Sequence, residues 1–303
     1  MNESFKILVN ARMKKSTKGT SSLGKNAIPW LFVFMWSSGA IFVEFGLHDA
    51  DPFIFLFFRL FISSLLFWIT MFILRTPLPT TSTEWLYMMF TGLCMQAGYQ
   101  TFYFLALDYK VSPGLLTIIL GAQPILTTFI SKEKSNITQW LGLFIGIMGL
   151  VLVVIDHTAI NRFSKIGLVS SFLSLICITG GTILQKSIQA NQISNMAIQY
   201  TSGTIFLSIL LYFFDQKINW TPMFVFSLFW MVFVISVGAT LLLYQMIKKG
   251  NLTNVTSLFY CVPPITVIFD FFVFKNSLTM LSISGMLLIV LGMILVNRKG
   301  KWL

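Results

Sequence analysis

Apolar residues occur along this chain in runs of about 20, separated by short polar connections. An α-helix needs about 20 residues to cross roughly 30 Å of hydrocarbon, whereas a β-barrel strand alternates apolar and polar residues over about 10 positions. The pattern therefore predicts an all-α integral membrane protein. The candidate spanning helices are 27–47, 52–74, 85–107, 111–131, 138–155, 166–187, 195–214, 222–247, 252–274 and 278–297.

Two parts of this pattern resemble each other. Residues 112–154 hold an apolar helix with a central proline, a short charged break and a second apolar helix with glycines, and residues 251–296 repeat the arrangement. Pro124 aligns with Pro264 at an offset of about 140 residues. The glycines of the second helix align at a slightly larger offset: Gly142 with Gly285 and Gly149 with Gly292.

Each repeat contains five candidate helices, so the second repeat would enter the membrane from the opposite side. Inverted repeats of this kind are typical of secondary transporters, whose substrate site lies between the halves near the midplane. The sequence thus predicts ten transmembrane helices as two inverted five-helix repeats. A basic tail at 1–26 precedes the first repeat at 27–156 and the second at 162–298.

The distribution of Lys and Arg predicts the orientation. With the N-terminus inside, 15 of these residues fall on the cytoplasmic side and 5 on the other. Cytoplasmic loops carry the excess of Lys and Arg, so both termini are expected in the cytoplasm of a multi-pass inner-membrane protein. The net charge of +11 is explained by this topology and does not indicate a nucleic-acid partner.

Composition gives no sign of a metal, a cofactor or an enzyme. Mean hydropathy is +0.81 and only 10% of the residues are charged, against about 25% in soluble domains. The loops are short, and the three cysteines lie inside apolar runs without metal-ligand spacing. We therefore expect no cofactor, no metal and no nucleic acid, and the lipid bilayer as the surrounding partner.

Three charged side chains fall within predicted spans: Glu44 in the first, Arg59 in the second and Asp270 in the ninth. Each costs about 2.5 to 3.5 kcal/mol on insertion scales, so each requires a partner or a cavity. By helical rise all three lie in the outer half of the membrane. One interpretation is an ion pair that joins the helices; the other is a carboxylate that is protonated or meets a cationic substrate during transport.

A polar and aromatic stripe marks the third span. Its residues follow the spacing i, i+3, i+4 and i+7 of one helical face: Gln96, Tyr99, Gln100 and Tyr103. Two glutamines are unsuited to lipid, so we expect this face to line a cavity or to bond another helix. Mid-helix prolines free a carbonyl or bend a helix. The remaining candidates for binding or gating are Trp36, Ser38, Gln123, Pro124, Tyr244, Tyr260 and Pro264.

At these residues the chain resembles the EamA-type transporters of the drug/metabolite transporter superfamily. The matching features are Trp36 to Gly39, Pro52 with Arg59, Phe104 to Leu107, Gln123 with Pro124, and Glu133 with Gln139 and Gly142. The glutamate of the first repeat, Glu133, has Asn276 as its counterpart in the second. Glu44 stands where similar sequences often have a basic residue.

The resemblance implies a secondary active transporter that moves a small organic metabolite, amino acid-like or drug-like, across the inner membrane as an exporter. Protons are the candidate coupling ion, and a monomer and a homodimer both fit. The alternatives are an uptake permease for a vitamin or other nutrient and, more distantly, a membrane-embedded enzyme.

Overall fold

The computed structural model describes residues 22–109, 111, 116, 119–131, 136–158, 164–274 and 279–297, without the side chains of 22–26, 150, 153–154, 156–158, 267, 270–271, 274, 282 and 297. These residues are helical apart from short connections. The helices are α1 (Ser22–Leu47), α2 (Pro52–Leu74), α3 (Ser82–Gly92, Leu93–Gly98 and Tyr99–Asp108), α4 (Gln123–Ile130), α5 (Ile137–Thr158), α6 (Lys165–Ser187), α7 (Gln192–Phe213), α8 (Pro222–Trp230, Met231–Ala239 and Thr240–Lys249), α9 (Leu252–Ser257, Leu258–Cys261 and Val262–Phe274) and α10 (Met280–Asn297).

Several of these helices have the length and hydropathy of membrane spans. Five qualify among the described residues: Ala27–Leu47, Pro52–Leu74, Lys165–Ser187, Gln192–Phe213 and Pro222–Lys249. Three shorter helices are also apolar: Ile119–Ile130, Ile137–Gly149 and Ile283–Val296. The prediction of an all-α membrane protein is confirmed. The exact number of ten crossings stays a prediction, and the predicted tail at 1–26 lies almost wholly outside the described residues.

Irregular segments recur at equivalent places in the two halves. α3 and α8, the third helix of each repeat, both contain a π-helical segment in the middle, Leu93–Gly98 and Met231–Ala239. A turn at Ala122 separates the helical residues 119–121 from α4, so this span is interrupted just before Gln123 and Pro124. α9 passes through a 3₁₀ turn just before its two prolines. Such interruptions are frequent at functional sites. The resemblance between the two repeats therefore includes the irregular segments at which a functional site is expected.

The two halves pack around equivalent helices. α5 lies against α10 and α2 against α7, while the contact of α1 with α8 has its counterpart in the contact of α6 with α3. α5 and α10 approach closely through glycines: Gly142 meets Gly292, and Gly149 meets Gly285. Small residues allow this approach of two backbones. The glycine rows of α5 and α10 therefore pack against each other within one chain.

Connections at the predicted outer end also join the halves. The turn after α1 forms an isolated antiparallel bridge with the turn before α8, between Ala50 and Ile218. Two backbone hydrogen bonds extend it: Asp51 N donates to Lys217 O at 3.0 Å, and Asn219 N donates to Asp49 O at 2.8 Å. These contacts keep the predicted outer ends of α1, α2, α7 and α8 together, beside the space that the central helices enclose.

Candidate functional site

A cavity lies between the two halves and is lined by α1, α2, α3 and α4 of the first and by α6, α8 and α9 of the second. Its volume, taken as the space open to the centre of a water-sized sphere, is about 100 Å³. The lining residues lie near the middles of these helices, where α3, α4, α8 and α9 are irregular. Seven candidates from the sequence line it: Trp36, Arg59, Gln96, Tyr99, Gln100, Tyr103 and Gln123.

Arg59 is the buried cation of this cavity. Its side chain is 5% exposed, and its Nε donates a hydrogen bond to Ser236 Oγ at 2.9 Å. Ser236 lies in the π-helical segment of α8, and its carbonyl oxygen accepts a hydrogen bond from Tyr200 at 3.1 Å. A guanidinium held by a neutral hydroxyl keeps a strong preference for carboxylate or phosphate oxygens. The geometry thus provides a cationic point inside an apolar wall.

The stripe of α3 faces the interior. Gln96 and Gln100 are both buried, and Gln100 Nε2 donates to Gln96 Oε1 at 2.8 Å. Gln96 Nε2 donates to the hydroxyl of Tyr244 at 3.0 Å. Tyr99 and Tyr103 pack edge to face with their ring centroids 5.9 Å apart. The two uses that the sequence left open, cavity lining and bonding between helices, are thus combined in one face.

The interruption of α4 places Gln123 at the cavity. Its Nε2 donates to Thr182 Oγ1 of α6 at 3.2 Å. Pro124, the next residue, lies outside the lining, and its carbonyl oxygen accepts a hydrogen bond from Thr128 at 2.7 Å. On α9, Pro263 lines the cavity and Pro264 does not. The carbonyl of Pro124 is therefore bonded within its own helix, while the second half brings Pro263 itself to the cavity.

Other candidates lie away from the lining. Ser38 Oγ accepts a hydrogen bond from the Trp230 indole at 2.9 Å. The hydroxyl of Tyr260 donates to Leu143 O at 3.3 Å, and its ring covers Gly146 of α5. Tyr244 lies behind two lining residues: its hydroxyl accepts from Gln96 at 3.0 Å and lies 3.5 Å from Met95 Sδ. These three side chains join helices instead of lining the space.

The charged residues near the predicted outer end have different surroundings. Glu44 is exposed, and its charge interacts with Tyr103. The side chain of Asp270 lies outside the described residues. In the turn after α1, His48 Nδ1 lies 3.9 Å from Asp49 Oδ1, close enough for an ion pair. An ion pair that links Arg59 with Glu44 or Asp270 stays a prediction.

Sequence reasoning missed the polar face of α7. Asn195 and Gln199, one turn apart, are both buried, and Gln199 Nε2 donates to Asn195 Oδ1 at 2.8 Å. Both amides also donate to Gln185 Oε1 of α6, at 3.2 Å and 2.7 Å. Two amides four residues apart in an apolar span show the same spacing as Gln96 and Gln100. This polar face could therefore have been predicted from the sequence.

The predicted cytoplasmic ends of the central helices are held together by hydrogen bonds. Lys186 Nζ donates to the carbonyl oxygen of Ile247 at 2.9 Å and to that of Gly250, at the end of α8. The hydroxyls of Thr128 and Thr253 join α4 to α9 at 2.9 Å. These bonds hold α4 against α9 and α6 against the end of α8 on this side of the cavity.

Comparison with known proteins places these features in a family. The EamA-like transporter family matches residues 28–155 and again 165–298. A protein of Archaeoglobus fulgidus named as an uncharacterized transporter is 25% identical over 280 residues, which cover 89% of this chain and 96% of that protein. The uncharacterized transporter YvbV of Bacillus subtilis is 27% identical over 280 residues, covering 89% and 90%.

Two more distant matches extend the comparison. A chloroplastic WAT1-related protein of Arabidopsis thaliana is 24% identical over 281 residues, which cover 87% of this chain and 67% of that protein. A solved crystal structure superposes with a TM-score of 0.75 at 15% identity, covering 92% of this chain and 98% of the other. At this identity the likeness concerns the fold alone.

Proposed function

Because this chain belongs to the EamA-like transporter family, we propose that it is a secondary active transporter that moves a small organic solute by alternating access through the cavity between its halves. The family and its transporter-named relatives point to transport and not to catalysis. The proposed solute is a small metabolite. The direction is export across the inner membrane, with both termini in the cytoplasm and protons as the coupling ion.

The observation that carries this proposal is the position of the cavity at the interrupted helices. α4 and α9 occupy equivalent places in the two repeats, and both reach the cavity beside their interruptions, through Gln123 and Pro263. Discontinuous helices at the interface of inverted repeats are the usual construction of a transporter site near the midplane. An interrupted helix also offers a place at which a helix can bend as the halves move.

The hydrogen bonds at the predicted cytoplasmic ends support a cycle with two arrangements. On that side the hydroxyls of Thr128 and Thr253 join α4 of the first half to α9 of the second, and Lys186 joins α6 to the end of α8 within the second half. In the other arrangement the bond between Thr128 and Thr253 would break and the halves would close at the opposite end.

Transport is tested with the full chain. Metabolites inside and outside cells with and without the protein are profiled first; the purified protein is then placed in vesicles with and without a proton gradient. An Ala40→Trp variant is the control, because Ala40 lines the cavity and an indole there fills it. We expect the solutes that leave cells holding the wild-type protein also to cross the membrane of vesicles that hold it, and to cross faster with the gradient. They should not cross the membrane of vesicles that hold the Ala40→Trp control.

The results separate the alternatives. Accumulation inside the cells instead of loss would favour the uptake of a vitamin or nutrient. A product formed by the protein in detergent, where no gradient exists, would favour a membrane-embedded enzyme. If no solute moves in either format, the transport proposal fails.

A further inference from the structure

We propose that Tyr244, which lies outside the cavity, makes the transporter select solutes that carry a hydrogen-bond donor, because it fixes the orientation of the Gln100 amide. The inference rests on the transport function proposed above and concerns the same cavity. It assigns Tyr244 the part of a positioning residue that acts through Gln96, and it assigns the contact with the solute to Gln100.

A chain of buried hydrogen bonds connects Gln100 to the interior of the second half. Gln100 Nε2 donates to Gln96 Oε1 at 2.8 Å, and Gln96 Nε2 donates to the Tyr244 hydroxyl at 3.0 Å. The Tyr244 hydroxyl donates to Gln199 Oε1 at 2.6 Å. Gln199 Nε2 donates to Gln185 Oε1 at 2.7 Å. The donors of all four links therefore point away from the cavity.

The same direction continues at the far end of this series of hydrogen bonds. Gln185 Oε1 accepts from both Asn195 and Gln199, so the NH₂ group of Gln199 faces Gln185 and its oxygen faces Tyr244. A tyrosine hydroxyl has one hydrogen to donate. Because Tyr244 gives this hydrogen to Gln199, it accepts from Gln96. The orientation of an amide that a structure leaves ambiguous is decided by such a network.

At its cavity end, this series of hydrogen bonds leaves one acceptor, the Gln100 side-chain oxygen, without a partner in the described part of the chain. One N–H of the Gln100 NH₂ group is bonded to Gln96, and Oε1 is the acceptor that Gln100 presents; this buried atom accepts no hydrogen bond from the described residues. Gln100 lines the cavity and is 6% exposed. A buried acceptor without a partner is unfavourable, and an N–H or O–H group of a bound solute would satisfy it.

Arg59 lines the same cavity and supplies the opposite chemistry. Its guanidinium has only donors to offer, whereas Gln100 Oε1 has only an acceptor. A solute that satisfies both is a small organic anion with a hydroxyl or amino group. Without the Tyr244 hydroxyl, the Gln96 amide is free to turn over, and the Gln100 amide with it. The preference for a donor would then be lost while the anion site at Arg59 stays.

The test compares solutes that differ by one hydroxyl. Vesicles holding the full-length protein are loaded with 3-phenyllactate, 3-phenylpropanoate, lactate, propanoate and phenethylamine, and their release is followed by mass spectrometry. The variants are Tyr244→Phe, Gln100→Leu and the double variant. Tyr212→Phe is the matched control, because Tyr212 is 85% exposed at the end of α7. Thermal unfolding in detergent shows whether each variant is folded, and Gln96→Met replaces Tyr244→Phe if that variant is not.

We expect the wild type and Tyr212→Phe to release a hydroxy acid at least about 10-fold faster than its partner without the hydroxyl, and the amine most slowly. Tyr244→Phe and Gln100→Leu should each bring this ratio close to one, and the double variant should match Gln100→Leu. A ratio unchanged in Tyr244→Phe or in Gln100→Leu overturns the inference. So does release of the amine or of the unsubstituted acids as fast as the hydroxy acids.

One further result separates this inference from the proposed function. If all five compounds stay in the vesicles while other solutes from the metabolite profile leave them, transport stands and the solute class proposed here is wrong. If no solute leaves any vesicle, the transport proposal fails and this inference fails with it.

Discussion

The carbonyl oxygen of Gly292 lies 2.7 Å from the place that a Cβ atom on Gly142 would occupy, and the reciprocal distance, from Gly142 O to a Cβ on Gly292, is 2.6 Å. Each glycine thus packs against the backbone of the other. Because the obstacle is backbone and not a flexible side chain, α5 and α10 would have to separate to accept even one methyl group.

Gly142→Ala is therefore expected to destabilise the protein by about 1–3 kcal/mol, as overpacking does in well-packed cores. Gly180→Ala on α6 is the matched control, because a Cβ there meets no atom within 4 Å. Alanine also favours a helix over glycine by about 1 kcal/mol, so the control should be neutral or stabilising. Thermal unfolding of both variants in detergent measures the difference. Equal midpoints would contradict the close packing of α5 and α10.

Ser236→Ala is expected to impair transport by releasing Arg59. The hydroxyl of Ser236 accepts from Arg59 Nε at 2.9 Å, and hydrogen bonds to charged groups contribute about 1.5–3 kcal/mol. The transport rate should fall about 10-fold, and further in Arg59→Lys, since lysine lacks the planar set of donors. Ser227→Ala is the control: Ser227 is also buried on α8, but its Oγ has no hydrogen-bond partner among the described residues. Equal rates for the two serine variants would contradict the role of Ser236.

Lys186→Met is expected to open the predicted cytoplasmic side. The variant removes the donors that hold the carbonyl oxygens of Ile247 and Gly250, which should shift the equilibrium by about 10-fold or more. Ala40→Cys, in a background with the three native cysteines replaced by alanine, reports on access to the cavity. Its labelling by an impermeant maleimide from that side should increase.

Lys248→Met is the matched control for this experiment. Lys248 Nζ also bonds two carbonyl oxygens, but both contacts are exposed and measure 3.3 Å. Exposed contacts of charged groups contribute little, so labelling of Ala40→Cys should stay near the wild-type level. Unchanged labelling in Lys186→Met would mean that this lysine does not hold the closed arrangement.

Asp270→Asn is expected to lower transport at unchanged surface amounts. An ionisable residue inside a span is by default a candidate for function, and Asp270 belongs to α9, an interrupted helix that lines the cavity. Glu44→Gln tests the exposed carboxylate of α1 in the same way, and Asp215→Asn in an exposed turn is the control. Transport is compared across pH. If both Glu44→Gln and Asp270→Asn transport at the wild-type rate, a role of these carboxylates in coupling is excluded. The interpretation as an ion pair between helices then remains.

Much of the fold could be predicted because it depends on period and length. Runs of about 20 apolar residues have few structures open to them in lipid, and the repeat of Pro124 at Pro264 relates the two halves. The face of Gln96 and Gln100 was also predictable, since residues four apart share a helical face. The interruptions beside the prolines follow from the loss of a backbone donor.

The partners of these residues could not be predicted in the same way. Arg59 bonds Ser236, which lies 177 positions away, and Tyr260 turns toward Leu143 and not into the cavity. Such pairs depend on the rotation of each helix about its own axis, and a uniformly apolar span leaves that rotation undetermined. Tyr244 and Tyr260 therefore carried the same signal in the sequence although they have different positions.

The sequence by itself determined an all-helical membrane protein with a two-fold internal repeat. The thickness of the bilayer sets the length of each apolar run, and the repeat can be recognised from the order of the residues. Only the tertiary structure decided which side chains surround the cavity and which ends of the helices are bonded to each other. It also decided that the hydrogen bonds from Gln100 to Gln185 run in one direction. The reason is physical: a hydrogen bond between helices of different halves exists only once both helices have packed, and its direction depends on every other bond in the chain.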